Sequence, residues 1–227
     1  MTDPPHVAGV EHRFVEAAGL RVHVAEAGEV APLLLVHGWP QHWYEWRHLV
    51  AELAGERRLI MPDLRGFGWT DAPSGPIDPD VFVRDLVALL DALGHDQIDV
   101  VGHDWGGFSS LLLSARHPGL VRRLVALSAP HPWVQVTPRI AAQAWRGWYA
   151  VLYAAGLMQR DRRLAGWFMR REGVPAEDVA IFVERFRDPA RASATTRLYR
   201  SYLRTLVSTG LRVLGQTLRG GSRSPGR

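Results

Sequence analysis

Residues 98–107, IDVVGHDWGG, contain the feature that decides the fold. The stretch Ile98 to Val101, which is apolar except for Asp99, is typical of a strand that is buried on both faces of a sheet. Residues 106–117 then show the spacing of apolar residues that predicts a helix. Asp104 lies between them, with one glycine two positions before it and another two positions after it, where a side chain would collide with the neighbouring strand or helix. We therefore predict a tight strand-turn-helix bend with Asp104 at its tip.

The alternation of strand and helix extends to both sides of this bend. Short apolar runs predict three further buried strands, and the residues between the runs have helical spacing. This order indicates an α/β fold, with a mostly parallel sheet and helices on both faces. A hairpin of alternating polar and apolar residues precedes these elements. The predicted segments are the hairpin 12–17 and 20–26, the strands Leu33 to Val36, Leu59 to Met61 and Leu124 to Leu127, and the helices 41–54, 79–93 and 106–117.

The alternation stops after Pro132. Residues 133–215 are rich in arginine and aromatic residues with helical periodicity, which predicts an inserted helical lid. We divide the chain into a core of residues 1–132, a lid of residues 133–205 and a basic tail of residues 206–227, whose Gly, Ser and Arg content predicts disorder. One face of one lid helix is predicted to carry Trp145, Trp148, Tyr149, Leu152 and Tyr153.

Composition excludes several classes of function. The chain has no cysteine, so it can form neither disulfides nor thiolate zinc sites, which fits a reducing compartment. No apolar run approaches the roughly 18 residues of a membrane span, and the first residues do not resemble a signal peptide, so we expect a cytoplasmic protein without a membrane span. Metal-binding and nucleotide-binding patterns are absent from the sequence, and we expect no metal and no cofactor.

The net charge of +4 is unevenly distributed. Residues 1–136 hold 10 arginines against 17 acids, and residues 137–227 hold 17 arginines against 6 acids. A basic half can bind polyanions. Apart from Tyr202, however, no aromatic residue is interleaved with the arginines of the tail, so the pattern favours a solvated tail over a nucleic-acid arm.

Asp104, considered alone, allows two interpretations, a helix N-cap or a nucleophile. Aspartate is a favoured helix N-cap, and the bend needs no more than that. A carboxylate at a tight bend can also attack carbon and form an ester, and a helix N-terminus favours its ionised form. Two further motifs decide between the readings: HGWP (residues 37–40) follows the first buried strand, and DLRGFGWTDAP (residues 63–73) follows the next. The second of these is largely a Gly/Pro-rich connecting loop.

Together, HGWP, DLRGFGWTDAP and GHDWGG resemble the epoxide hydrolase and haloalkane dehalogenase branch of the α/β-hydrolases, over roughly residues 8–205. The resemblance implies an α/β-hydrolase fold in which Asp104 is the nucleophile. It also implies an oxyanion hole formed by the backbone N–H groups of Trp39 and Trp105. The residues that support these motifs are His37, Gly38, Pro40, Gly102, His103 and Gly106.

The leaving group distinguishes the two families. Epoxide hydrolases protonate the epoxide oxygen with two lid tyrosines, and the resemblance assigns this role to Tyr149 and Tyr199. Tyr153 and Tyr202 are rivals of Tyr199, and the aromatic stripe also allows Tyr149 to be lid core. Position 39 is tryptophan rather than the asparagine with which many dehalogenases hold halide.

Fluoroacetate dehalogenases resemble this layout too, but they carry arginines just after the nucleophile. Here those positions are Trp105 and Phe108. We therefore favour a small-molecule epoxide as substrate, with a haloalkane as the alternative.

The acid and histidine of the usual triad follow strands beyond the lid, and we find neither. The last histidine is His131, which is a poor candidate for the base because it lies at the entry to the lid. The last strands and helix of the fold are expected to be missing, which would leave Leu124 to Leu127 as an open edge and make the chain marginally soluble. We expect the enzyme to stall as an ester, or the chain to be a non-catalytic ligand-binding remnant. The sequence leaves the oligomeric state open.

Overall fold

The computed structural model describes residues 3–133, 137, 142 and 144–220. Within them, six strands form one sheet with the order β1-β2-β4-β3-β5-β6. The first two strands form an antiparallel hairpin, β2 pairs antiparallel with β4, and the remaining pairs are parallel. The predicted mostly parallel sheet is therefore confirmed. The strands are β1 (Glu11–Ala17), β2 (Leu20–Ala27), β3 (Ala31–Val36), β4 (Arg57–Pro62), β5 (Ile98–His103) and β6 (Val121–Leu127).

Helices follow the parallel strands and then make up most of the described chain after β6. Asp78 caps the second helix by accepting a hydrogen bond from the Val81 N–H, as the preference of aspartate for this position predicts. The helices are α1 (Arg47–Leu53), α2 (Pro79–Ala92), α3 (Asp104–Arg116), α4 (Tyr149–Ala154), α5 (Leu157–Arg160), α6 (Arg162–Arg171), α7 (Ala176–Glu184) and α8 (Pro189–Gly220), with 3-10 turns at Trp43–Trp46, Ala144–Gly147 and Arg185–Arg187. No strand interrupts residues 144–220, and no helix of the described chain is long and apolar enough to cross a membrane.

The central strands are buried on both faces. In β4, Leu59 and Met61 belong to one hydrophobic cluster and Ile60 to the other, and all three side chains are fully buried. Successive residues of a strand point to opposite faces, so a continuous apolar run is what a sheet covered on both sides requires. Each such side chain contributes about 1.5–3 kcal/mol through its burial.

Buried arginines of the lid bind to the core loop that follows β4. Arg191 donates to the Gly68 carbonyl (2.6 Å) and to the Thr70 carbonyl (2.9 Å), and Arg185 donates to the same Gly68 carbonyl. The Trp39 indole N–H donates to the Thr195 hydroxyl in α8 (3.0 Å). These bonds hold the lid over the loops at the carboxyl ends of β3 and β4.

The predicted aromatic stripe is wrong in part. Trp145 lies in the 3-10 turn before α4 and is 72% exposed, and Trp148 is 44% exposed, whereas Tyr153 is completely buried. A 3-10 turn has about three residues per turn, so the helical spacing does not keep these side chains on one face. Residues 206–220, which the sequence predicts as disordered, continue α8, and residues 221–227 lie outside the described chain.

The predicted open edge is present. Among the described residues, strand β6 lies at one end of the sheet and pairs with β5 alone. Its Val125 is 51% exposed and its Leu127 is 43% exposed. This strand therefore has an unpaired edge and apolar side chains that are not covered.

Candidate active site

Asp104 occupies the bend between β5 and α3. Its φ of +48° lies in the left-handed region, which a non-glycine residue adopts only under constraint. A Cβ at Gly102 would lie 2.7 Å from the Gly106 carbonyl oxygen, and a Cβ at Gly106 would lie 2.2 Å from the Val36 carbonyl oxygen. Both glycines therefore stand where a side chain would clash, and together they allow the bend that presents Asp104.

Two backbone N–H groups hold the Asp104 carboxylate. The Trp39 N–H donates to Oδ2 at 2.9 Å, and the Trp105 N–H also donates to this carboxylate. Burial raises the pKa of Asp104, and the two N–H bonds and the neighbouring His103 oppose that rise. The side chain remains partly exposed, so a small molecule can reach it.

The HGWP loop is positioned by His37. The Leu64 N–H donates to His37 Nε2 at 2.9 Å, so the ring carries its proton on Nδ1 and donates it to the Gly38 carbonyl at 2.8 Å. A Cβ at Gly38 would lie 2.7 Å from the Asp104 Cβ. The fully buried imidazole and the missing side chain at position 38 thus bring the Trp39 N–H to the carboxylate. The Trp39–Pro40 peptide is cis.

Glu45 is a residue of the site that sequence reasoning missed. Its carboxylate accepts from the Gly38 N–H (3.3 Å) and lies 3.4 Å from His103 Nδ1. The bond to Glu45 raises the pKa of His103. Nothing in the spacing of Glu45 distinguishes it from an ordinary residue near a helix start.

Tyr199 lies against both tryptophans of the two motifs. Its ring is perpendicular to those of Trp39 and Trp105, with centroids 5.4 Å and 5.9 Å away, and it is 4% exposed. Burial and then the charge of Asp104 raise the pKa of Tyr199 well above its usual value, and the interaction with the Trp105 side chain opposes only part of that rise, so the phenol keeps its proton.

The negative charge of Asp104 also acts on Tyr149 and Tyr202. Burial, and then the Asp104 charge, raise the pKa of both phenols. The Tyr149 ring packs on Phe168 (5.1 Å between centroids), and the Tyr202 ring packs on the edge of Trp105 (5.5 Å). The structure thus brings both predicted tyrosines, and the rival Tyr202, to the same region.

Tyr153 is the most buried of the four. It is fully buried and stacks on Tyr199 at 4.7 Å, and its ring centroid lies 3.9 Å from that of Trp39. The sequence placed it in the aromatic stripe as a rival of Tyr199. Packing against three aromatic residues of the site was not readable from its spacing.

The DLRGFGWTDAP loop is anchored by a buried hydrogen bond between Asp63 and His23. Asp63 and His23 are 2.7 Å apart with no exposure, and Asp63 also accepts from the backbone N–H groups of Trp43 and Trp69. Interaction with His23 holds the pKa of Asp63 far below its usual range against the opposing effect of burial. This loop is therefore structural, in keeping with its interpretation as a connecting loop.

The base is not supplied by His131, which is exposed and packs on Trp133 (5.4 Å between rings). Among the residues described, no three His, Asp or Glu side chains form a group that could hold a metal ion.

Comparison with known proteins adds the family. A family model described as alpha/beta hydrolase fold matches residues 31–208. Epoxide hydrolase 4 of Mus musculus is 38% identical over 124 residues, which cover 53% of this chain and 34% of that protein. The AB hydrolase superfamily protein YfhM of Bacillus subtilis (strain 168) is 32% identical over 211 residues, which cover 85% of this chain and 73% of that protein.

A solved structure, "Epoxide hydrolase CorEH without ligand", matches with a TM-score of 0.71 at 28% identity and covers 84% of this chain and 72% of that chain. Alignments with four curated epoxide hydrolases span 34% to 41% of those proteins, so the chain matches less than half of their length. The family match covers most of the chain and agrees with the order of the sheet, and the chain therefore belongs to the α/β-hydrolase fold family.

Proposed function

We propose that this chain opens a small-molecule epoxide through attack by Asp104. A carboxylate oxygen of Asp104 bonds to an epoxide carbon, the bond from that carbon to the ring oxygen breaks, and the electron pair goes to the oxygen. That oxygen takes a proton from Tyr149 or Tyr199, and the tyrosinate recovers a proton from water. The product is a hydroxyalkyl ester of the enzyme.

The observation that carries the proposal is the geometry at Asp104. The residue is held at positive φ, is partly exposed, and has its carboxylate bound by the N–H groups of Trp39 and Trp105. After ester formation the same two donors would polarise the ester carbonyl, which is what a subsequent attack by water requires. An ordinary N-cap needs no additional donor such as the Trp39 N–H, which comes from a distant loop.

The tyrosines support epoxide chemistry. A proton donor to a developing alkoxide must be protonated at neutral pH, and the raised pKa values of Tyr149 and Tyr199 ensure this.

The bond of the Trp39 indole disfavours a halide leaving group. A halide site needs N–H donors that point at the ion. Here the Trp39 indole N–H already donates to the Thr195 hydroxyl at 3.0 Å. We therefore keep epoxide opening as the proposed reaction and treat haloalkane cleavage as the competing outcome of the test.

Release of the diol needs a base that activates water against the ester. His131 is exposed and packs on Trp133 after β6, and no later histidine occurs in the sequence. We propose that the chain, by itself, accumulates the ester.

The test is intact-mass measurement after mixing with styrene oxide, with diol release followed in parallel. We expect a gain equal to one epoxide molecule, little diol, and no gain in Asp104→Asn. Asn is a matched substitution because it tolerates the left-handed conformation. No gain in the parent chain would indicate a non-catalytic ligand-binding remnant, and a gain with 1-bromobutane alone would indicate a dehalogenase.

A further inference from the structure

Tyr153 carries a hydroxyl that the fold does not use. The side chain is fully buried within α4, and its oxygen has no hydrogen-bond partner among the described residues. Buried tyrosine hydroxyls usually form a hydrogen bond, because removing a polar group from water without a hydrogen-bond partner costs free energy. Phenylalanine would preserve the same ring packing without that cost.

The ring of Tyr153 lies among the aromatic residues of the candidate site. It stacks on Tyr199 with an interplanar angle of 28°, meets Trp39 at 63° and has Tyr149 at 6.1 Å. The Asp104 charge contributes to raising the pKa of the Tyr153 phenol, after burial and the neighbouring Tyr149 and Glu172. The negative charge of Asp104 therefore acts on the unpaired hydroxyl, which stays protonated.

The epoxide oxygen cannot also accept a hydrogen bond from this third phenol. An ether-type oxygen has two lone pairs, and the proposed function already directs Tyr149 and Tyr199 at it. A third donor in the same site needs a second acceptor on the substrate.

We propose that the Tyr153 hydroxyl binds a second oxygen of the substrate, so that the site prefers epoxides with an ether or hydroxyl oxygen close to the ring. This inference rests on the proposed function, since it assumes that the epoxide is held between Asp104 and the other two tyrosines. Tyr153 then acts as a specificity-determining residue.

A matched pair of probes tests the preference. Benzyl glycidyl ether carries the second oxygen, and 1,2-epoxy-5-phenylpentane has a methylene in its place. We expect the parent chain to form the Asp104 adduct about tenfold faster with the ether, the effect of one hydrogen bond. Tyr153→Phe should reduce that ratio to about one through a slower reaction with the ether.

Thermal unfolding provides the second measurement. Tyr153→Phe should unfold at a temperature a few degrees higher, roughly the effect expected when an unpaired buried hydroxyl is removed. Tyr44→Phe is the control: Tyr44 packs on Phe182 away from the tyrosines and should leave the ratio unchanged. An unchanged ratio in Tyr153→Phe, an equal loss with both probes, or a lower unfolding temperature would overturn the proposal.

The two proposals fail separately. If neither probe modifies the parent chain, the proposed epoxide-opening reaction is wrong. The role of the Tyr153 hydroxyl can then be tested without a covalent reaction, by measuring the binding of the two corresponding diols by calorimetry. Tighter binding of 3-benzyloxy-1,2-propanediol than of 5-phenyl-1,2-pentanediol, lost in Tyr153→Phe, supports the role of the hydroxyl. Equal binding of the two diols to the parent chain contradicts it.

Discussion

At the scale of single residues, the protonation state of Asp104 controls the proposed chemistry. Burial raises its pKa above the ordinary value of 3.8, and the attacking species is the ionised carboxylate. The rate of adduct formation should therefore fall as the pH drops through this raised pKa, with its midpoint above 3.8. Initial rates of mass gain between pH 4 and 8 give the midpoint. A rate that stays constant down to pH 4 would show that Asp104 is not the group that titrates.

His42 makes stability depend on pH. It is fully buried, its Nδ1 accepts from the Tyr44 N–H, and burial lowers its pKa from 6.5 to about 3. Below pH 6.5 the unfolded chain binds a proton at His42, and the folded chain does not. The contribution of His42 to the free energy of unfolding is therefore fully present above pH 6.5 and is lost as the pH falls toward 3. The loss approaches about 1.4 kcal/mol for each pH unit within that window.

The matched variant is His42→Asn, because asparagine can accept the same N–H at a helix start and does not titrate. Urea unfolding at a series of pH values from 7 to 4 should show a flatter slope in this variant. The remaining slope comes from other groups such as His12 and His95, whose pKa values burial also lowers. Identical slopes in the two proteins would mean that His42 does not carry the acid sensitivity.

At the scale of secondary-structure elements, the close approach of α3 to β3 fixes the distance between the Asp104 carboxylate and the Trp39 N–H. A Cβ at Gly106 would meet the carbonyl oxygens of Val36 and His37 at 2.2 Å and 2.4 Å. Gly106→Ala should therefore destabilise the fold by about 1–3 kcal/mol, because backbone atoms of β3 must move. Gly119→Ala is the control, since nothing lies within 4 Å of that position. Equal urea midpoints for the two variants would contradict this packing.

Sequence patterns predicted the elements of the sheet well and the lid less well. The run Leu33 to Val36 lies in a buried strand because only a sheet covered on both faces needs continuous apolar residues. In the lid, a 3-10 turn precedes α4 and places Trp145 and Tyr153 in different environments. Short helices depend on tertiary contacts for their limits, and those contacts are not encoded in local spacing.

In the candidate site, too, features that depend on local sequence were predicted and features that depend on tertiary contacts were not. The bend at Asp104 was predicted from the glycines that flank it, and the family resemblance implied the roles of Trp39 and Trp105. Glu45 and the packing of Tyr153 were not predicted, because both depend on how distant segments meet. Side chains that act through long-range contacts leave no periodic signal.

At the scale of the whole molecule, β6 is an edge with exposed apolar side chains. A strand with one unpaired edge, on which Val125 and Leu127 are exposed, can pair with strands of other molecules. We expect the double substitution Val125→Thr and Leu127→Lys to reduce self-association, because a charge and a hydroxyl on the edge oppose pairing.

Light scattering at increasing protein concentration measures this effect. Val207→Thr is the control, because Val207 is equally apolar and 62% exposed but lies on helix α8. An effect of the control as large as that of the β6 variant would show that exposed apolar area, rather than the strand edge, drives association.

The central claim is that one carboxylate, held by backbone donors from two loops, forms a covalent bond with the substrate. Peptide mapping by tandem mass spectrometry after reaction with styrene oxide tests it most directly. The account predicts a single modified peptide with the added mass on Asp104, absent in Asp104→Asn and retained in the exposed control Asp91→Asn. Modification at another residue, or a modified peptide that persists in Asp104→Asn, would contradict it.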